Sequence, residues 1–283
     1  MRVSIGDTRL FFDVEGAKFV PDGPVLRERP TILLLHGGPG FDHSSYKPAY
    51  STLSTLGQVI YLDHRGHGRS DPAPAAQMNL AQLADDAAAF CRVLGIENPV
   101  VYGLSFGGFV AQALAVRHPD LSPKIILDST VPKIRLDMAF DAFERLGGKE
   151  MRGMAERFWT RPDDLAARET YMTKCLPAYS RTAQDPAGIQ RAILKLELVD
   201  VFFGAGGEGH SFDFREDLAR SKARFLVLSG KHDPITPPEA AAAFRDALPP
   251  EQLRFVSFDD SGHGIFRDSP EAAFGEIERF ILS

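Results

Sequence analysis

Val100-Val101-Tyr102-Gly103-Leu104-Ser105-Phe106-Gly107-Gly108 is the stretch on which the fold turns. An apolar, strand-forming run, Val100–Tyr102, leads into a serine between glycines, and a small-residue helical pattern follows from Phe106 to Arg117. A strand, a sharp turn and a helix in that order form the setting of a nucleophile elbow. In such an elbow the serine sits on a strained turn with its hydroxyl above the sheet. Its neighbours must be small because other backbone passes close by. Gly103 and Gly107 meet that need.

Working outward, short apolar runs alternate with helical patterns, as expected when helices cover both faces of a mainly parallel sheet. Arg2–Ile5 and Arg9–Val14, joined through Gly6-Asp7, read as an opening antiparallel hairpin. Thr31–Leu35, Val59–Asp63, Val100–Tyr102, Lys124–Leu127, Arg224–Leu228 and Leu253–Phe258 read as buried strands, each closed by Gly, Asp or His. Helices are expected over Leu80–Leu94, Phe106–Arg117, Pro238–Leu248 and Pro270–Leu282. The predicted fold is thus α/β, with a mostly parallel eight-stranded sheet flanked by helices.

One segment breaks the alternation. Residues 132–220 are helix-like, show no strand pattern and hold the single tryptophan, Trp159. That is too long for a plain connection. The domain reading follows: 1–131 and 221–283 form the catalytic part, and 132–220 form a helical cap inserted between two strands. Insertions at the C-terminal ends of strands usually cover a site. A helical bundle packed beside the sheet without a binding role is the alternative.

The 283 residues carry 44% hydrophobic and 25% charged side chains, the balance of a folded globular chain that can bury a core. A formal charge of −6 gives no electrostatic reason to bind nucleic acid or an anionic membrane surface. The N-terminal residues lack an apolar leader, and the longest apolar runs, such as Ile32–Leu35, are too short to span a bilayer. Cys91 and Cys175 lie far apart and form no metal-like spacing. The expected setting is cytoplasmic, with neither membrane nor nucleic acid as partner and oligomeric state left open.

A serine hydroxyl attacks only if a base takes its proton. His263, in Asp260-Ser261-Gly262-His263-Gly264, follows the last strand and is the candidate base. Asp233, in Ser229-Gly230-Lys231-His232-Asp233-Pro234, follows the strand before it and is the candidate acid that orients the imidazole. Asp128, at the end of Ile125–Leu127, is the competing acid, and His232 reads as a neighbour of the acid loop. The order Ser, Asp, His along the chain suits this fold.

A tetrahedral intermediate needs two N–H donors. Phe106, next after the serine, supplies one, and His36-Gly37-Gly38-Pro39-Gly40 offers Gly38 for the other, with Gly37 as the fallback. His64 and His67 are spaced like metal ligands in Asp63-His64-Arg65-Gly66-His67, but no further ligand joins them in the pattern. A structural loop with Asp63 and Arg65 in polar contacts is the reading taken, and no metal or cofactor is expected.

Together these motifs resemble the proline iminopeptidase branch of the α/β hydrolases. The likeness runs through His36–Gly40, Asp63–Ser70, Gly103–Gly108, Gly230–Pro234 and Gly262–Gly264, and so spans the chain from about residue 30 onward. It implies a capped, cofactor-free serine hydrolase that removes a residue from the N-terminus of a small peptide, or cleaves a related amide or ester. Those peptidases seat the free amine on cap carboxylates, often beside a Trp-rich run ending in Glu. This chain lacks such a run and offers Glu197 instead, with Trp159 and Gly37 as further candidate substrate contacts. The substrate expectation is a small molecule or short peptide. An esterase or lactonase acting on an apolar acyl group is the alternative, and a hydrolase-fold ligand receptor is the reading from another class.

Overall fold

A computed structural model describes residues 1–161, 164–183 and 185–283. Among the described residues ten strands form two sheets, the larger ordered β1-β2-β6-β5-β7-β8-β9-β10. Its members are β1 (Arg2–Ser4), β2 (Arg9–Glu15), β5 (Thr31–Leu35), β6 (Gln58–Leu62), β7 (Val100–Leu104), β8 (Lys124–Asp128), β9 (Arg224–Gly230) and β10 (Leu253–Phe258). β1 pairs antiparallel with β2, and β2 with β6. From β6 to β10 every pairing is parallel. This is the eight-stranded, mostly parallel sheet that the sequence pattern predicts, with strand ends moved by one or two residues.

The parallel strands are buried on both faces because successive side chains enter different layers. Leu33, Leu35, Val101 and Ile125 pack under α1 (Leu80–Val93) and α2 (Phe106–Arg117). Ile32, Leu34, Val100 and Ile126 pack on the opposite face against Ile277 and Phe280 of the C-terminal helix Pro270–Leu282. Each such fully buried aliphatic or aromatic side chain contributes roughly 1.5–3 kcal/mol. Cys91 and Cys175 are both buried and free.

Two expectations are corrected. A small hairpin, β3 (Phe19–Asp22) with β4 (Val25–Glu28), was not foreseen. Its residues are mostly exposed and include Pro21, so no alternation marks them as strands. The helix expected over Pro238–Leu248 is two short pieces, Pro238–Ala241 and Phe244–Ala247. Ala243 and Arg245 bond back three residues, not four, and so tighten the turn between the pieces.

Between β8 and β9 the described residues form helices and turns and no strand. The longest helix there, α3 (Leu136–Thr160), is two helices joined at Gly147-Gly148, where Gly148 adopts φ 70°. After it come α4 (Leu165–Thr170), a π turn at Tyr171–Cys175, α5 (Pro186–Arg191) and α6 (Glu197–Phe203). Lys195 fastens the insertion to the sheet's loops: its N–H donates to Gly40 O at 2.7 Å and its Nζ to Gly66 O at 2.7 Å. Among the described residues, no helix is long and apolar enough to cross a membrane.

Candidate active site

The C-terminal ends of β5, β7, β8, β9 and β10 bring their loops together at one edge of the sheet, where open α/β sheets bind ligands. Ser105 immediately precedes α2 with φ 52° and ψ −115°, a conformation that L residues avoid. The turn is possible because its flanks are bare. A Cβ on Gly107 would lie 2.0 Å from Leu35 O, and one on Gly103 would lie 2.5 Å from Gly107 O. The backbone is also pinned from β8, since Ser105 N–H donates to Asp128 O at 2.9 Å and Thr130 Oγ1 to Ser105 O at 2.9 Å.

Ser105, His263 and Asp233 form a continuous row. His263 Nε2 is 2.9 Å from Ser105 Oγ, and its Nδ1 is 2.7 Å from Asp233 Oδ2. The Asp233 carboxylate also accepts the N–H groups of Ile235 and Thr236 at 2.9 and 2.8 Å and the Thr236 hydroxyl at 2.7 Å. Burial alone would raise the Asp233 pKa. The facing charge and N–H of His263 and the Thr236 donors outweigh it and hold the carboxyl below its ordinary value. An anionic Asp233 selects the tautomer with hydrogen on Nδ1, which leaves Nε2 free to take a proton from Ser105.

Asp128, the competing acid, is bound elsewhere. It accepts hydrogen bonds from the hydroxyls of Tyr102, Ser129 and Tyr50 at 2.5, 2.8 and 3.3 Å. Burial raises its pKa despite these donors and the charge of His263. It is part of a polar knot beneath the serine turn, while Asp233 holds the imidazole. His232 lies in the Asp233 loop, where its N–H donates to Ser261 O at 2.9 Å.

On the other side of Ser105 lies the His36–Gly40 loop. Gly37 N–H donates to Tyr46 Oη at 2.7 Å, so that amide is already used. A Cβ on Gly37 would stand 3.3 Å from Ser105 Cβ, which places the loop directly against the serine. Gly38 adopts φ 132°. Among the described residues, the N–H groups of Gly38 and Phe106 have no acceptor, whereas that of Gly37 is taken by Tyr46.

The loop rests on three buried imidazoles. His36 Nδ1 donates to Gly37 O at 2.7 Å while its Nε2 accepts His64 N–H at 3.2 Å, and His64 Nε2 donates to His36 O at 3.3 Å. His67 Nδ1 donates to Arg65 O at 2.8 Å, and its ring stacks on Phe106 at 5.9 Å between centroids. Burial depresses all three, His67 to about 3, so they are neutral wedges. Arg65 binds Asp86 through two bonds of 2.7 Å and reaches Asp7 at 2.8 Å. Asp63 accepts from His43 Nδ1 at 2.6 Å and from Arg69 N–H at 2.9 Å.

Asp42, His43 and Asp63 bring three possible metal-ligand atoms within 4.8 Å of one another. Protein donors already occupy them: Arg69 Nη1 and the Ser44 hydroxyl hold Asp42 at 2.7 and 2.6 Å. The cluster is a hydrogen-bonded brace for the loop.

Above Ser105 opens a cavity of about 300 Å³. Phe158, Trp159, Tyr171, Met172 and Phe203 of the insertion line it from above, and Gly37, Gly38, Leu104, Ser105 and His263 from below. Trp159 reaches the cavity, its Nε1–H donating to Tyr171 Oη at 3.0 Å. Glu197 does not. It is exposed at the start of α6, and its neighbours Leu196 and Val199 face the cavity instead.

Sequence reasoning missed several members of the site. Tyr46 occupies the Gly37 amide, Thr236 ties Asp233 to His263, and Tyr179 stacks edge-on to His263 with centroids 5.2 Å apart. Tyr179 also accepts His263 N–H on its carbonyl at 2.6 Å. The Thr236 position, three residues after the acid, carried a usable local signal. The other two are long-range contacts without one.

A doubly covered parallel sheet, a strained serine turn between β7 and α2 and an inserted helical roof define an α/β hydrolase. The family model for the alpha/beta hydrolase fold matches residues 30–270, and the chain belongs to that family. It resembles the proline iminopeptidases within it. Proline iminopeptidase PfmaB of Pestalotiopsis fici is 27% identical over 281 residues, covering 96% of this chain and 98% of that one. The solved proline iminopeptidase of Mycobacterium smegmatis superimposes with a TM-score of 0.77 at 24% identity, over 100% of this chain and 97% of that one. The enol-lactonase of Burkholderia xenovorans LB400 superimposes with a TM-score of 0.70 at 23% identity, over all of both chains. At these identities the two solved structures speak for the fold alone.

Proposed function

We propose that this hydrolase cleaves a small ester or lactone through an acyl-enzyme. The observation that carries the reading is the Ser105–His263–Asp233 row opening into an apolar cavity. Ser105 Oγ attacks the carbonyl carbon as His263 Nε2 takes its proton, and Asp233 stabilises the imidazolium. The carbonyl oxygen becomes an oxyanion received by the Gly38 and Phe106 amides, a donor pair of which each member is worth about 3 kcal/mol. Collapse breaks the bond to the leaving oxygen, which takes the proton from His263. Water then repeats the sequence and frees Ser105. Residues 132–220 act as the lid that shapes the acyl pocket, with Trp159 as part of its wall.

The second reading, a proline iminopeptidase, is favoured by the likeness to PfmaB. An N-terminal ammonium needs a carboxylate inside the cavity. Among the described lining residues the one acid is Asp185, which is exposed and bonded to the start of α5 and to Arg191. The cavity wall also carries Arg267, whose charge opposes an ammonium. The ester reading needs neither amine nor carboxylate partner.

Paired kinetics on p-nitrophenyl butyrate and proline p-nitroanilide, with Ser105→Ala as control, test the proposal. Ester turnover abolished by the substitution is expected. Proline release dominating by tenfold or more would replace the first reading with the second, and turnover that survives in Ser105→Ala would overturn both.

A further inference from the structure

Among the described residues, four charged side chains line the cavity, Lys47, Arg168, Asp185 and Arg267. Three have a counter-charge within the protein: Lys47 lies 3.0 Å from Glu15, Arg168 pairs with Asp200 at 2.5 Å, and Asp185 with Arg191 at 3.3 Å. Arg267 makes no ion pair among the described residues. Its Nε and Nη2 both donate to the Ser180 hydroxyl, at 3.3 and 3.0 Å, and the Phe266 ring lies 4.5 Å from the guanidinium carbon. A guanidinium has five N–H donors, so one neutral hydroxyl leaves most of its fork unused. The opposite charges that act on it, Asp268 and Asp128, do so without forming an ion pair, and a partly buried charge without a bonded partner is costly.

We infer that Arg267 is a specificity-determining residue that receives a carboxylate of the substrate, so that the natural substrate is a small mono-anionic acyl compound. This rests on the reading of Ser105 as an acyl-accepting nucleophile. Arg267 is held where it can do this. It stands four residues after His263 on the short helix Ile265–Asp268, and Asp268 pins that helix by accepting the N–H groups of Gly262 and Thr182, each at 2.8 Å. Phe266, its neighbour on that helix, meets Tyr46 edge-on with ring centroids 6.0 Å apart, and Tyr46 holds the Gly37 amide beside Ser105. A guanidinium and a carboxylate meet through two parallel charge-assisted bonds, which fixes orientation as well as adding affinity. One cation without an ion pair, in a wall whose other charges are paired, balances one negative charge, whereas a phosphate dianion would leave a second charge unmatched.

The test compares monomethyl glutarate with methyl valerate, which differ by a carboxylate in place of a terminal methyl. Acid release is followed on the full chain, Arg267→Gln and Arg267→Lys. The wild type is expected to favour the hemiester by about tenfold or more in kcat/KM, Arg267→Gln to lower that ratio at least tenfold, and Arg267→Lys to retain part of it. A wild-type ratio at or below one, or a ratio that both substitutions leave unchanged, overturns the inference. If p-nitrophenyl butyrate is still cleaved in a Ser105-dependent way, the inference alone falls and the proposed function stands. If no ester is turned over, calorimetry on the Ser105→Ala protein decides. Monomethyl glutarate should bind at least tenfold more weakly when Arg267→Gln is added. Equal binding, or displacement by inorganic phosphate in preference to the hemiester, overturns the carboxylate assignment.

Discussion

The loops at the sheet's edge and the helices above them handle polar groups in opposite ways. Below Ser105, nearly every buried side chain is satisfied before a substrate arrives: Asp233 by His263 and Thr236, Asp128 by two tyrosines and a serine, His36 and His64 by each other's loop. Above it, the insertion presents rings. Phe158 stacks on Tyr171 at 4.1 Å and Trp159 meets Phe203 edge-on at 5.0 Å; ion pairs such as Arg152 with Glu156 lie on the outer surface, and only Arg168–Asp200 and Asp185–Arg191 reach the described cavity wall from the insertion. The difference teaches a division of labour. In the proposed reaction a preorganised polar floor would position charge, because its dipoles need not move. An apolar roof would select shape, and could vary without disturbing the floor.

The largest effect should fall on the floor. Ser105→Ala is expected to lower kcat/KM for p-nitrophenyl butyrate by about 10⁴-fold or more, roughly 5.5 kcal/mol, with the thermal midpoint nearly unchanged. A loss below about tenfold would mean the row is not the catalytic device, and the contrast with the roof would collapse.

Acid should break the floor next. His36, His64 and His67 are held neutral with pKa values below the unfolded one, near 6.5, so the unfolded chain takes up protons first as pH falls. Their contribution is complete above about pH 7 and declines through pH 6 and below. Asp128, whose carboxyl burial raises, acts in the opposite sense and offsets part of this. Urea denaturation should show a net loss of about 2 kcal/mol or more between pH 7 and 5.5. A flat profile would mean that the imidazoles are solvated.

Smaller changes belong to the roof. Trp159→Phe removes the donor to Tyr171 while keeping most of the ring, and should cost about 1 kcal/mol in stability. Its kinetic mark is a few-fold rise in KM with kcat little altered, and a fall in kcat alone would place Trp159 with the floor. Glu197→Ala should do least: stability within about 0.5 kcal/mol and KM within about twofold for ester and proline substrates. A large rise in KM for proline p-nitroanilide would show that Glu197 reaches the substrate after all.

The sequence by itself determined where the floor's loops lie. Each of its loops directly follows a short apolar run, so Gly103–Gly108, the Asp233 turn and Gly262–Gly264 could be assigned to strand ends from local pattern alone. Only the tertiary structure decided the rest. That Tyr46 takes the Gly37 amide, that Tyr179 rests on His263, that Glu197 faces solvent and that Arg267 stands in the cavity without a carboxylate are outcomes of packing between distant segments. The hairpin Phe19–Glu28 escaped for a related reason, since exposed strands carry no hydrophobic period. A strand end fixes its loop through neighbouring backbone, which sequence records. The direction of a helix face depends on what it packs against, which one chain's local pattern does not encode.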